Sequence, residues 1–243
     1  MITTIHIGPH KTATTSIQKY LEDNKDKLKA DKIYIPDSIV GIPLYNHWPL
    51  NVYSLDPERY SCMKYNLLFS RRIPLIKKIF NNIKESIREH YLKAKQEKCK
   101  RVIWSNEGLS FINSEREYNK LTDLFREYSK KIEVVFCIRN REEWARSFIQ
   151  QMGGLDGGKI TFERKNDSYY LGKDSYHFDI ERRKMLFSKC FDKAIIFNYD
   201  KNDNVKSFLE ATKIKIYSNT STFKENNTRE KFNILTFNRI NYD

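Results

Sequence analysis

The stretch Met1-Ile-Thr-Thr-Ile-His-Ile-Gly8-Pro9-His10-Lys11-Thr12-Ala13-Thr14-Thr15-Ser16-Ile17-Gln18-Lys19-Tyr20 decides how the rest of the chain is read. Ile2, Ile5 and Ile7, with two β-branched threonines among them, predict a short buried strand. Gly8 and Pro9 break it, and a helix is predicted from Thr14 onward. A strand, a tight turn and a helix start together make an anion site, because the first N–H groups of a helix lack partners inside it and carry the positive end of its dipole. Lys11 and the hydroxyls of Thr12, Thr14 and Thr15 converge on the same small volume, so Gly8 through Thr15 is expected to hold a phosphate-like group.

The loop differs from the Walker A pattern: Lys11 follows Gly8 by three positions, and His10 stands where the second glycine belongs. Such a loop is too short to wrap a triphosphate. The alternative reading of an N-capped helix with a solvated lysine stays open on this motif alone.

Working outward, Lys32 to Pro36 predicts a second short strand, followed by an irregular aromatic segment to Tyr65 that contains His47 and Trp48. Gly41, Pro43, Pro49 and Pro57 argue against long regular structure there. A helix is expected from Arg71 to Lys98, with a core stripe of Ile73, Ile76, Phe80, Ile83, Ile87, Tyr91 and Ala94. Arg101 to Ser105 predicts a strand, and Tyr118, Leu121, Phe125 and Tyr128 mark another helix. Lys131 to Ile138 is the clearest strand; its apolar run without alternation is that of a central parallel strand covered on both faces. A helix follows from about Glu142. Gly153-Gly154-Leu-Asp-Gly157-Gly158 opens a polar stretch that reads equally as a loop able to close over a substrate and as a disordered surface excursion. A helix around Phe178 to Ser188, a strand Lys193 to Tyr199 and a helix Val205 to Ala211 complete the alternation. The expectation is an α/β, P-loop-like three-layer fold: a central parallel sheet flanked by helices, with ligands at the carboxyl ends of the strands, in one domain spanning residues 1–243.

Among the 243 residues, 44 Lys and Arg against 31 Asp and Glu give a net charge of +13, which favours anionic ligands. The lysines are spread along the chain, not gathered into one run, and nothing matches a nucleic-acid motif. Cys62, Cys99, Cys137 and Cys190 lie far apart, with neither zinc nor disulfide spacing. No apolar run reaches the ~20 residues of a membrane span, and the N-terminus enters a strand directly, so a cytoplasmic location is expected.

The central strand ends in Arg139-Asn140-Arg141-Glu-Glu-Trp144-Ala-Arg146-Ser147. At a strand's carboxyl end Arg139 can offer a fork of donors to a phosphate, and Ser147 can reach the same group from the following helix. Lys11-Thr12-Ala13-Thr14-Thr15 resembles the 5′-phosphosulfate loop of sulfotransferases that use 3′-phosphoadenosine 5′-phosphosulfate (PAPS), and Arg139 with Ser147 resembles that family's 3′-phosphate site. Two departures stand out: Ala13 replaces the family's glycine, and Arg141 its proline. The His6 to Gln18 stretch, Ser105-Asn106-Glu107 and Arg139 to Ser147 together resemble bacterial carbohydrate-type sulfotransferases from residue 5 to 150; Asn219-Thr220-Ser221 resembles them only loosely.

The resemblance implies in-line sulfuryl transfer from PAPS to a hydroxyl, on a glycan acceptor, with 3′,5′-bisphosphate (PAP) as product. Lys11 would stabilise the leaving oxygen, and no metal is required. The base would be Glu107, His10 or His47, with Glu107 preferred for its place just past a strand beside the loop. Two other readings are a P-loop kinase or NTPase, with Asp200 as its candidate Mg²⁺ ligand, and a basic nucleic-acid binder without enzymatic activity.

Overall fold

The computed structural model describes residues 1–44, 46–155, 162, 165 and 168–217. In chain order the elements are β1 (Ile2–His6), α1 (Thr14–Asp23), α2 (Lys25–Ala30), β2 (Ile33–Tyr34), β3 (Ser38–Ile39), β4 (Ile42–Pro43), α3 (Pro49–Ser54), α4 (Cys62–Phe69), α5 (Ile73–Gln96) and β5 (Arg101–Ser105). A 3₁₀ turn (Glu107–Phe111) follows, then α6 (Glu115–Thr122), β6 (Lys131–Ile138), α7 (Arg141–Leu155), α8 (Ile180–Cys190), β7 (Lys193–Asn198) and α9 (Asn204–Thr212).

Five strands form one parallel sheet in the order β2-β5-β1-β6-β7, and β3 and β4 make a separate antiparallel hairpin. Side chains alternate across the sheet, so each face collects its own core. Ile5, Ile7, Val102, Trp104, Val134 and Phe136 pack with residues of α5, α6, α7 and α8. Ile103 and Val135 pack on the opposite face with Ile17, Tyr20 and Leu21 of α1 and Phe208 and Leu209 of α9. The result is three layers: helices, sheet, helices.

Two features of the sheet create the site. From β1 the chain goes out to β2 and returns through β5, then crosses to β6 and β7. The helices after β1 and β6 therefore leave toward opposite faces: α1 packs beside Val135, whereas Trp144 and Phe148 of α7 join the other core. A crevice opens between such diverging connections. In addition, His6 pairs with Val135, so β6 continues three residues past the end of β1 and carries Arg139 above the loop that follows β1.

The expected core stripe of the long helix holds only in its second half. Ile83, Ile87, Tyr91 and Ala94 are buried, but Ile73 and Phe80 are exposed and Ile79 takes the inward position. Phe80 instead lies beside Tyr53 and the Lys120 ammonium at the surface. The aromatic segment is more regular than its prolines suggest, since Pro49 starts α3, where a missing N–H costs nothing. The helix after β6 also runs on through Gly153 and Gly154, so these two glycines do not open a loop; Gly157, Gly158 and residues 219–221 lie outside the described residues.

All five histidines are held neutral, their pKa values pushed below 6.5 chiefly by burial. For His47 the fall is to about 4, worth about 3 kcal/mol of linkage. The folded values lie below the unfolded one, so the unfolded chain takes up protons first; stability is complete above pH 6.5 and is lost as pH falls toward 4. Melting temperature is expected to drop between pH 7 and pH 5, with a shallower slope in His47→Asn. A flat profile would contradict the buried neutral histidines.

Candidate active site

The loop between β1 and α1 is built with its carbonyls held from behind. Thr12 Oγ1 and Thr14 Oγ1 both donate to the Pro9 carbonyl, at 2.7 and 3.2 Å. The next three carbonyls each receive a donor from a different part of the chain. Trp144 Nε1 donates to that of His10 at 2.8 Å, Arg139 Nη1 to that of Lys11 at 2.6 Å, and Asn204 Nδ2 to that of Thr12 at 2.7 Å. Lys11 and Ala13 have φ of 64° and 56°, flanking a Thr12 whose φ is not positive, and alternation of this kind turns successive N–H groups into one concave anion-binding nest. Lys11 Nζ has no acceptor among the described residues.

Gly8 makes the close turn possible, since a Cβ there would lie 2.7 Å from His6 Nε2 and 3.1 Å from Thr14 Oγ1. Ala13, at the N-cap of α1, is left-handed, the conformation in which its methyl is unfavourable by ~1–2 kcal/mol. Ala13→Gly is therefore expected to raise stability by up to about 1 kcal/mol, after the extra chain entropy of glycine, where an alanine-to-glycine change in a helix costs stability. Thermal melting of the two forms decides the sign. Thr12 and Thr14, expected to offer hydroxyls to the anion, spend them on the Pro9 carbonyl; Thr15, next in α1, is half-buried.

Glu107 opens the 3₁₀ turn past β5 and is half-buried. Its carboxylate accepts from Gln18 Nε2 at 3.1 Å and from Asn46 Nδ2 at 3.0 and 2.8 Å. It neither caps the turn with its side chain nor pairs with a cation among the described residues. The turn itself is clamped: Asn51, Arg183 and Arg59 donate to the carbonyls of Gly108, Ser110 and Phe111, at 2.6, 3.1 and 2.6 Å. His10 reaches the same region. Its ring lies against Phe111 and Phe148, its Nε2 is buried without a partner among the described residues, and the Glu107 charge partly offsets the downward pull of burial on its pKa.

His47 is placed differently from its expected role. It is buried at 1% exposure, Nε2 donates to the Pro36 carbonyl at 3.0 Å, and Nδ1 accepts the Ser105 N–H at 2.9 Å. No lone pair is left to take a proton. His47 bolts the aromatic segment to the end of β5, and the structure does not present it to a substrate.

Arg139 is stacked on the Tyr199 ring at 4.5 Å and lies 3.7 Å from Glu143. With Glu143, Tyr199 and Lys201 it lines an open cleft of about 770 Å³ at the carboxyl ends of β6 and β7. Ser147, four residues after Glu143, shares that side of α7 one turn further on. Asn140 caps α7 by accepting the N–H groups of Glu142 and Glu143, and Arg141 covers the Phe178 ring at 4.1 Å. Asp200 caps its own turn, accepting the Asn202 N–H at 2.7 Å; its strand β7 is separated from β1 by β6.

No protein-family model matches the chain, and no curated protein is similar to it in sequence. In structure it is similar to a solved protein: the crystal structure of a sulfotransferase from Alicyclobacillus acidocaldarius superposes with a TM-score of 0.50, over 90% of this chain and 84% of that one, at 11% identity. The chain shares the three-layer α/β fold of that protein. Within that fold, the central parallel sheet brings the Lys11 loop, Glu107 and Arg139 to one edge. Asn204, Asn46 and the clamps on the 3₁₀ turn were not legible as site residues. Only the place of Asn204 at the start of a helix after a strand hints at its contact with the loop.

Proposed function

We propose that the protein is a PAPS-dependent sulfotransferase that moves a sulfuryl group to a hydroxyl of a carbohydrate acceptor. The observation that carries this reading is the Lys11–Ala13 loop, left-handed at Lys11 and Ala13, with its carbonyls tied back by Trp144, Arg139 and Asn204 and a lysine whose ammonium has no acceptor among the described residues. A preorganised set of donors around a charge-accumulating oxygen is what such a transfer requires. The loop N–H groups would hold the 5′-phosphate, and Arg139 and Ser147 the 3′-phosphate across the open cleft. The acceptor oxygen forms its bond to sulfur as the sulfur–oxygen bond to the 5′-phosphate breaks; the hydroxyl proton goes to Glu107, and Lys11 meets the charge left on the bisphosphate. The reading places this chemistry in the cytoplasm, on one domain.

Titration calorimetry with PAP, with ATP and Mg²⁺, and with RNA separates the readings. PAP is expected to bind at one site and more tightly than ATP. Binding of ATP with Mg²⁺ as tight as that of PAP, or no PAP binding, would overturn the assignment in favour of a phosphoryl transferase; tight RNA binding alone would favour a nucleic-acid binder.

A further inference from the structure

On the other side of α7 from the open cleft is a small, partly open cavity of about 60 Å³, lined by Arg139, Arg141, Arg183, Pro9, Ser110 and His177 among others. Its described lining residues include three arginines and no carboxylate. The Nε–H groups of both Arg139 and Arg183 are buried without an acceptor among the described residues. Arg183 is only 4% exposed and enters no ion pair among them; Nη1 donates to Ser110, and the planar group lies over the rings of Phe136 and Tyr176. Glu117, the buried carboxylate of this layer, is already engaged by Arg59 and by the N–H groups of Asp56 and Asn113. His177 adds no charge, because Nε2 donates to the Ser168 carbonyl and burial lowers its pKa to about 3.

A buried cation left without a counter-charge is costly, and Arg183 is one; Arg139, whose Nε–H reaches the same cavity, has Glu143 at 3.7 Å on the open-cleft side. The arrangement becomes favourable when an anion enters beside Arg183 and accepts its Nε–H. We propose that this cavity is a subsite for one small oxyanion, a carboxylate or sulfate ester carried by the acceptor, distinct from the two phosphate sites of the cofactor. The volume admits roughly two water molecules or one such group, and no sugar ring. Its position supports the acceptor as the source. Ser110 belongs to the turn that begins with Glu107, and Pro9 directly precedes His10, so a group seated there borders the turn and the loop that carry these two residues. Glu143 lines the open cleft on the other side. The acceptor class that follows is an acidic glycan, a uronic-acid or already sulfated sugar. The subsite rests on the sulfotransferase reading only for what carries the anion.

The test uses the full chain saturated with PAP, titrated calorimetrically with methyl glucuronide, methyl glucoside and inorganic sulfate. The glucuronide is expected to bind about tenfold to a hundredfold more tightly than the glucoside, the ratio one charge-assisted contact supplies, and sulfate to compete with it. That preference is expected to vanish in Arg183→Met. It should vanish equally in Ile180→Glu, which leaves Arg183 in place and puts a carboxylate at the cavity wall in the first turn of α8, where an acidic residue is well tolerated. A preference surviving in both variants, equal binding of the two glycosides, or a preference present only without PAP would each overturn the proposal. Failure of PAP itself to bind would instead count against the sulfotransferase reading.

Discussion

Lys11→Ala is expected to lower the rate of sulfuryl transfer by roughly 100- to 1,000-fold, the loss seen when one preorganised donor is removed from a developing oxyanion. PAP affinity should fall by less than about tenfold, because the main chain of the loop is fixed independently of the lysine side chain. The Lys11 carbonyl is held by Arg139, and the neighbouring carbonyls by Trp144 and Asn204. Alanine at the same left-handed φ leaves those bonds in place. The ammonium contributes where charge accumulates, and its contact with the bridging oxygen strengthens as the sulfur departs. Single-turnover kinetics with PAPS and calorimetry with PAP measure the two quantities separately. A variant with weakened PAP binding and an unchanged rate would reduce Lys11 to a binding residue.

The fold was readable because its strongest signals are local. The uninterrupted apolar run of β6 announced a strand buried on both faces, and the strand, turn and helix of residues 1–20 announced the central connection. The long helix was placed to within two residues at each end, yet its buried stripe slipped from Phe80 to Ile79, since which turn of a helix overhangs the sheet depends on elements elsewhere in the chain. The site divided in the same way. Its loop, Arg139 and Glu107 come together at one sheet edge, but the partners that give the loop its shape do not announce themselves. Trp144, Arg139 and Asn204 reach their carbonyls across 134, 128 and 192 residues, and a main-chain acceptor leaves no mark in the sequence. His47 illustrates the reverse case. Beside a tryptophan in a proline-rich segment it reads either as an acceptor-binding side chain or, more often, as packing, and the second holds: both of its nitrogens serve the backbone of β5 and Pro36.

Glu107→Gln is expected to reduce turnover by about 10² to 10⁴, the usual contribution of a positioned base, while PAP affinity and melting temperature barely change. The hydrogen bonds around the carboxylate make this a clean substitution. Asn46 Nδ2 reaches both oxygens and Gln18 Nε2 reaches Oε2, so an amide oxygen at the Oε2 position still accepts from both and loses only the Asn46 contact to Oε1. The bonds to the carboxylate are charge-assisted and become neutral ones of ~0.5–1.5 kcal/mol each, so only a small drop in melting temperature accompanies the loss of rate. What glutamine cannot do is receive the acceptor's proton. His10 supplies the decisive comparison, because its Nε2 is buried beside the loop without a partner among the described residues and its imidazole is kept neutral by burial. Should Glu107→Gln retain its rate while His10→Gln loses it, the base is the imidazole. Glu107 would then act through its charge, which favours the imidazolium formed when His10 takes the proton.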